Sequence, residues 1–223
     1  MPVFPIYILA DRSASMAHTA GPVTAITVVN EVIRDLLASL SRDPTIRHQT
    51  RICLVSFAAD ATVDLPLTRL HSTTAVPELT ASGPTSFAAA FDRLAAALRA
   101  DLPALGPHTD TMVFMLTDGQ ANSSRDVTSG WQTEYDAMLA AAGGAGRLRL
   151  IPFGFGQVHT ATLARLASDP AAAYIAAHAA QPSEAIRRFG ELILKSVVSS
   201  VVHGEPRTVA PPGSQVLGEP VEP

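Results

Sequence analysis

Short apolar runs alternate along the chain with longer segments in which apolar residues recur every three or four positions. The short runs are Val3–Ala10, Arg51–Ala58, Thr111–Leu116 and Leu148–Phe153, and nearly every position in them is apolar. Continuous apolar runs of this length are typical of strands that are buried on both faces of a sheet. A weaker run at residues 173–176 predicts one further strand.

The longer segments have the three-and-four spacing of amphipathic helices. The sequence predicts helices over Val23–Leu40, from Phe87 to Leu98, around Trp131–Leu139 and over Pro182–Val202, with a shorter one at about residues 160–167. Proline is well suited to the first position of the last helix, because the backbone donor that it lacks has no partner there. Each helix therefore lies between two predicted strands or follows the last one.

This alternation predicts a single α/β domain with a mostly parallel sheet of about six strands and helices on both faces. Thr62–Leu67 forms the exception, because the turn at Ala59-Asp60 is too short for a parallel crossover. We therefore expect one antiparallel strand at an edge. Residues 1–203 form the predicted domain, and residues 204–223 are a Pro/Gly-rich tail that is predicted to be disordered.

Composition excludes several classes of function. The net charge of −4 and the aromatic content of 5% argue against a nucleic-acid partner. No apolar stretch has the length of a membrane span, and the N-terminus lacks the basic region of a signal peptide. Cys53 is the single cysteine and reads as a buried residue, so an internal disulfide is impossible and a cytoplasmic location is expected.

Candidate chemistry follows the predicted strands. Asp11, Ser13 and Ser15 come directly after the first strand, Thr85 starts a long helix, and Asp118 follows the most apolar strand. Loops at the carboxyl ends of neighbouring parallel strands meet at one edge of a sheet. All five side chains offer oxygen, which suits Mg²⁺, or Mn²⁺ or Ca²⁺, rather than Zn²⁺.

Each of these pieces also has a purely structural interpretation. The Asp11–Ser15 loop and Thr85 have residue types that cap helices, and Asp118 in Thr-Asp-Gly has a type that favours turns. Their combination, in this order and each after the expected element, favours a metal site. The polar residues of the third loop either form a rim that selects a partner or simply lie on a solvated surface; they are Gln120, Asn122, Ser123 and Ser124.

The Asp-x-Ser-x-Ser motif, the distant threonine and the Thr-Asp-Gly motif resemble the metal-ion-dependent adhesion site of von Willebrand factor A domains. The resemblance covers about Pro2–Val202. The segments LTASGPTS, VFMLTDGQ and PLTRL are similar to bacterial tellurium-resistance-associated, TerY-type members. The resemblance implies a Rossmann-like domain that is not an enzyme. It also suggests a role in a stress-response or tellurite-resistance assembly.

In this family, by resemblance, Ser13, Ser15 and Thr85 contact the metal directly or through water, and the two aspartates complete the shell. A glutamate or aspartate of a partner protein fills the last position. The alternative is a metal-dependent phosphoesterase, which requires a nucleophile or a general base. The sequence offers only the two aspartates and His18 for that role, and Ser13 stands where aspartyl phosphatases have a second aspartate.

Overall fold

Seven strands form the centre of the computed structural model. The structure describes residues 3–18, 22–71, 74–106, 109–156, 158–169, 172–176, 181–212 and 214–217. The strands are β1 (Phe4–Asp11), β2 (Thr50–Phe57), β3 (Ala61–Thr68), β4 (Thr111–Thr117), β5 (Leu148–Gly154), β6 (Tyr174–Ala176) and β7 (Ser214–Val216). They form one sheet in the order β3-β2-β1-β4-β5-β6-β7.

Strand direction agrees with the predicted α/β architecture. The neighbours β2-β1-β4-β5-β6 are all parallel to one another. The outer strands β3 and β7 are antiparallel to β2 and β6. The two central strands β1 and β4 lie side by side, with Ile6 opposite Met112 and Ala10 opposite Leu116. Their carboxyl ends, and the loops that follow them, therefore meet at one edge of the sheet.

Helices cover both faces of the sheet. They are α1 (Ala25–Arg42), α2 (Pro44–Gln49), α3 (Phe87–Asp101), α4 (Ser124–Ser129), α5 (Gln132–Ala141), α6 (Thr160–Leu166) and α7 (Pro182–His203). Helices α1 and α7 pack together against one face, and α3 and α5 pack together against the other.

The alternation of side chains along β1 explains why this strand is apolar at every position. Ile6 and Ile8 point into the core beneath α1 and α7, and Tyr7 and Leu9 point into the core beneath α3 and α5. Successive side chains of a strand point to opposite faces, so a strand covered on both faces has no polar side. The strand thereby holds its last residue, Asp11, in a fixed position between the two layers.

The structure differs from the predicted sheet of six strands and from the predicted disorder after residue 203. Residues 214–216 form β7 against β6, which adds a seventh strand and a second antiparallel edge. Upstream of β7, the N–H of Arg207 donates to Ser200 Oγ at 2.8 Å, and that of Val209 donates to Ser196 Oγ at 2.9 Å. Residues 218–223 of the predicted tail lie outside the described residues.

Two short helices are also absent from the sequence prediction. The Asp43-Pro44 pair ends α1 as expected but also starts α2, because the Asp43 carboxylate accepts from the N–H groups of Thr45 and Ile46. Helix α4 lies in the third loop and is capped by Ser123. Each has six residues, too few for a helical periodicity to be visible in the sequence.

Candidate metal centre

Asp11 and the two serines that follow it form a tight loop at the end of β1. The N–H of Ser13 donates to Asp11 Oδ1 at 2.8 Å. The N–H of Ala14 donates to the carbonyl of Gly83 at 2.8 Å, which joins this loop to the segment before α3. A single turn of 3-10 helix, Ala14–Ala17, follows. The loop is therefore fixed both by its own aspartate and by the neighbouring segment.

A chain of hydrogen bonds connects the first loop with the third. Ser13 Oγ and Ser15 Oγ lie 3.0 Å apart, and Ser15 Oγ donates to Asp118 Oδ1 at 2.8 Å. On the far side of Asp11, the Thr117 hydroxyl donates to Oδ2 at 2.6 Å. Both carboxylates and both serine hydroxyls thus belong to one network across β1 and β4.

Thr85 lies directly before the N-cap of α3 and is almost fully buried. Its hydroxyl makes no hydrogen bond to any residue that the structure describes, and it lines the same cleft as Ser15 and Asp118. The second and third loops approach closely here, because a Cβ at Gly119 would lie 3.9 Å from Thr85 Oγ1. The structure therefore brings the five predicted residues to one place.

The cleft at this edge has a volume of about 470 Å³. Its lining includes three of the five candidate ligands, Ser15, Thr85 and Asp118, together with His18, Gln120, Asn122 and Phe155. Asp11 and Ser13 do not line the cleft but are joined to Ser15 and Asp118 through the hydrogen-bond network. A small charged group is thus the kind of ligand that this cleft suits best.

Burial disfavours the charged forms of both aspartates. Burial raises the pKa of Asp11 to about 6, against the hydrogen bonds from Ser13 and Thr117, which lower it; the charge of Asp118 raises it further. The pKa of Asp118 is also raised by burial, while Ser15 and the nearby His18 lower it. Two acids this close disfavour each other's ionisation, and a cation between them removes that cost.

No lysine or arginine among the described residues forms an ion pair with either aspartate. The nearest arginine in the chain, Arg12, turns away from the site and binds Asp60 at 2.5 Å and Ser82 at 3.1 Å. Buried carboxylates are normally paired with a cation or a metal. The donor set therefore fits a hard divalent cation, with hydroxyls, carboxylates and water as its ligands.

No other part of the described chain offers a cluster of three or more His, Cys, Asp or Glu side chains that could hold a metal. The candidate site has two such residues, Asp11 and Asp118, because its other three ligands are hydroxyls. Cys53 is buried, and burial raises the pKa of its thiol, as expected of an inert core residue.

Sequence reasoning missed Thr117 as a support of Asp11 and left the role of Asn122 open. The side chain of Asn122 binds the backbone of Thr85 at 2.7 Å, so it is neither a rim residue alone nor merely solvated. Gln120 is exposed at the mouth of the cleft. The Thr-Asp-Gly motif contained the signal for Thr117, because the last side chain of β4 must lie beside the last side chain of β1.

A family model decides the identity of the domain. The model of the von Willebrand factor type A domain matches residues 6–188. The chain belongs to this family. Its members often mediate protein–protein interactions. A search of curated proteins gives no match.

Solved structures share the von Willebrand factor type A fold. The von Willebrand factor type A structure from Catenulispora acidiphila has a TM-score of 0.65 at 18% identity, over 88% of this chain and 43% of its own. The ArnB paralog VWA2 from Sulfolobus acidocaldarius has a TM-score of 0.61 at 14% identity, over 86% and 45%. The PilB minor pilin from Streptococcus sanguinis has a TM-score of 0.63 at 12% identity, over 90% and 62%. This chain spans less than two thirds of each of them.

The length and hydropathy of the helices bear on the prediction that this von Willebrand factor type A domain has no membrane span. Within the part of the chain that the structure describes, no helix is both long enough and apolar enough to cross a membrane.

Proposed function

We propose that this domain is a divalent-metal-dependent protein-interaction module that binds Mg²⁺ through Asp11, Ser13, Ser15, Thr85 and Asp118. Mn²⁺ and Ca²⁺ suit the same oxygen ligands. The observation that carries the proposal is a fully buried aspartate, Asp11, and a half-buried one, Asp118, which are joined through Ser13 and Ser15 and form no ion pair with a lysine or arginine of the described chain. A divalent cation supplies the missing positive charge.

The proposal assigns the last coordination position to a glutamate or aspartate of a partner protein. Two aspartates neutralise a divalent cation only when both are ionised, and hydroxyl ligands add no charge. When one aspartate is protonated, or when a position in the metal's coordination shell is unfilled, an additional anionic oxygen is therefore favoured. The cleft beside Asp118 and Thr85 is open enough for a carboxylate side chain.

Metal binding is tested by titration calorimetry with MgCl₂ on the folded protein. Asp11→Asn keeps the size of the side chain but removes its charge, and we expect it to weaken Mg²⁺ binding at least about tenfold. The matched control is Asp43→Asn, which alters a hydrogen-bonded carboxylate at the start of α2. This helix leads into the N-terminal end of β2, whereas the candidate ligands follow the carboxyl ends of the strands. Absence of Mg²⁺, Mn²⁺ and Ca²⁺ binding by the wild type contradicts the proposal.

Partner binding is tested by capture from a cell lysate with Mg²⁺ and again with EDTA, using the wild type, Asp11→Asn and Asp43→Asn. The proposal predicts partners that the wild type and Asp43→Asn retain only in the presence of metal and that Asp11→Asn loses. Each captured protein is then tested with its acidic residues changed to the corresponding amides. Partners that persist in EDTA and on Asp11→Asn contradict a metal-bridged interface.

We further propose that the module acts in the cytoplasm, in a stress-response or tellurite-resistance assembly. The support is the sequence resemblance in LTASGPTS and VFMLTDGQ, together with the lone cysteine. A deletion strain with increased sensitivity to tellurite, restored by the wild type but not by Asp11→Asn, is the expected result. Equal sensitivity of the two strains contradicts this assignment.

The proposal includes no catalytic activity. A hydrolase at this cleft requires an oriented base, and the candidate is His18, which is exposed and whose imidazole is hydrogen-bonded to no described residue. We expect no turnover of p-nitrophenyl phosphate with Mg²⁺ or Mn²⁺. Turnover that depends on metal and is lost in Asp11→Asn contradicts this part of the proposal.

A further inference from the structure

The loop that follows β4 binds both backbone polar groups of Thr85. The N–H of Thr85 donates to Asn122 Oδ1 at 2.7 Å. Its carbonyl accepts from the N–H groups of Asn122 at 2.9 Å and Ser123 at 3.0 Å. No strand carries Thr85, so these contacts, together with the bond from the N–H of Ser86 to the carbonyl of Ala58 at 2.9 Å, help to set the distance between its hydroxyl and Asp118, the residue with which the third loop begins.

A second contact between the same two loops involves a buried carboxylate. Asp126 Oδ1 accepts from the N–H of Ala88 at 3.0 Å, in the first turn of α3. Asp126 Oδ2 accepts from the hydroxyl of Ser86 at 2.5 Å and from that of Ser123. Asp126 is 7% exposed. A side chain of α4 thus binds the N-terminal end of α3.

The hydrogen-bond partners of the Asp126 carboxylate are neutral groups, and no lysine or arginine of the described chain lies in ion-pair contact with it. The hydroxyls of Ser86 and Ser123 and the N–H of Ala88, in the first turn of α3, donate to its two oxygens. Helix α3 already has a local cap, because Ser86 Oγ accepts from the N–H of Ala89 at 3.1 Å. Asp126 therefore supplies a connection between loops in addition to the capping that the helix requires.

We propose that Asn122 and Asp126 are positioning residues that hold Thr85 against Asp118 and so preorganise the metal site. This inference rests on the proposed function. Mg²⁺ requires a nearly ideal octahedral arrangement of its ligands, and here the ligands come from three separate loops. Residues that orient metal ligands typically change metal affinity by about 10- to 100-fold when they are mutated. We call Asn122 and Asp126 the clamp. The clamp joins the second loop to the third, as the serine hydroxyls join the first loop to the third.

A purely structural role for these side chains makes a different prediction. A cap that serves only the fold lowers the stability of the protein and leaves the metal affinity of the folded molecule unchanged. Asp43→Ala removes such a cap, because Asp43 binds the N–H groups of Thr45 and Ile46 away from the site. It is the matched control for Asp126→Ala.

The test measures Mg²⁺ affinity by calorimetry at a temperature at which every variant is folded. We expect Asn122→Ala and Asp126→Ala to bind Mg²⁺ at least about tenfold more weakly than the wild type, and Asp43→Ala to bind it within about twofold. Asp126→Asn keeps an acceptor for the N–H of Ala88 and is expected to restore part of the affinity. Wild-type affinity in both alanine variants overturns the inference and leaves the metal site intact.

A second measurement requires no metal. The Asn122 side chain protects the amide of Thr85, so Asn122→Ala is expected to accelerate hydrogen exchange at Thr85 at least about tenfold in metal-free protein. If the Thr85 amide exchanges at the same rate in Asn122→Ala as in the wild type, the clamp is overturned. This measurement decides the question even if Asp126→Ala does not fold. Failure of the wild type to bind any divalent cation instead removes the proposed function and, with it, the role of the clamp in metal binding.

Discussion

The hydroxyl of Thr117 donates a 2.6 Å hydrogen bond to Asp11 Oδ2, although 106 positions of the chain separate the two residues. They are the last residues of the adjacent parallel strands β4 and β1. The other oxygen of Asp11 accepts from the N–H of Ser13. The sheet thus orients both oxygens of a carboxylate that is fully buried.

Replacement of Thr117 by valine tests this support. Thr117→Val keeps the shape of the side chain but removes the donor, so the charged form of Asp11 loses about 2 kcal/mol of stabilisation near pH 7. We expect a corresponding loss in the free energy of unfolding without metal, measured with urea, and weaker Mg²⁺ binding by calorimetry. Thr117→Ser retains the hydroxyl and serves as the control. Equal stability and equal affinity in Thr117→Val contradict the role of this hydrogen bond.

The stability of the metal-free protein is expected to fall as the pH rises from about 4 to about 7. The pKa of Asp11 is raised from 3.8 to about 6 by burial, so the folded state holds a proton that the unfolded chain has already released. The stabilisation is complete below the unfolded pKa and is lost as the pH rises through about 6. For this difference in pKa the loss is ~3 kcal/mol, measured by urea unfolding in EDTA across this pH range.

Magnesium is expected to reverse this trend. The cation binds the ionised form of Asp11, so the stabilisation by MgCl₂ is larger at about pH 7 than at about pH 5. Asp11→Asn removes the titrating group, and its stability is expected to vary less with pH and to respond less to MgCl₂. If the stability of metal-free Asp11→Asn falls with pH as steeply as that of the wild type, the assignment of this pKa to Asp11 is contradicted.

The sequence predicts that the candidate ligands lie close together, because two of the three loops directly follow strands that the sequence also predicts. A strand that is apolar at every position ends at Asp11, another ends just before Asp118, and parallel strands bring their ends to one edge. Thr85 is harder to predict from physical pattern alone, because its residue type and position also suit a helix cap. Its place in the site is predicted only in combination with the other two loops, and the family resemblance supports it.

The supports of the site are not visible in the sequence, because they depend on contacts between distant segments. Nothing near Asn122 or Asp126 indicates that their side chains bind the segment Thr85–Ala88. Strand β7 is hidden for another reason. It has three residues within a Pro/Gly-rich segment, and the serines that bind the chain before it belong to α7.

The segment after α7 is expected to be ordered in solution. Ser196 and Ser200 are fully buried, and their hydroxyls accept from the N–H groups of Val209 and Arg207. The double variant Ser196→Ala, Ser200→Ala is therefore expected to lower the free energy of unfolding by about 1–3 kcal/mol. Hydrogen exchange at the two amides is expected to accelerate.

Ser199→Ala is the control for this prediction. Among the described residues the Ser199 hydroxyl is hydrogen-bonded only to His203 of the same helix, so exchange in the following segment is expected to match the wild type. Rapid exchange at Arg207 and Val209 in the wild type contradicts an ordered segment.

The contact between α1 and α7 leaves no room for a side chain at Gly190, where a Cβ would lie 2.6 Å from Val32 Cγ1. Overpacking costs about 1–3 kcal/mol, against a gain of about 1 kcal/mol because alanine favours a helix. We therefore expect Gly190→Ala to lower the free energy of unfolding by at most about 2 kcal/mol. In a double-mutant cycle, Val32→Ala removes the clash, so the double variant is expected to be more stable than the sum of the single effects predicts. Additive effects contradict steric contact between these two positions.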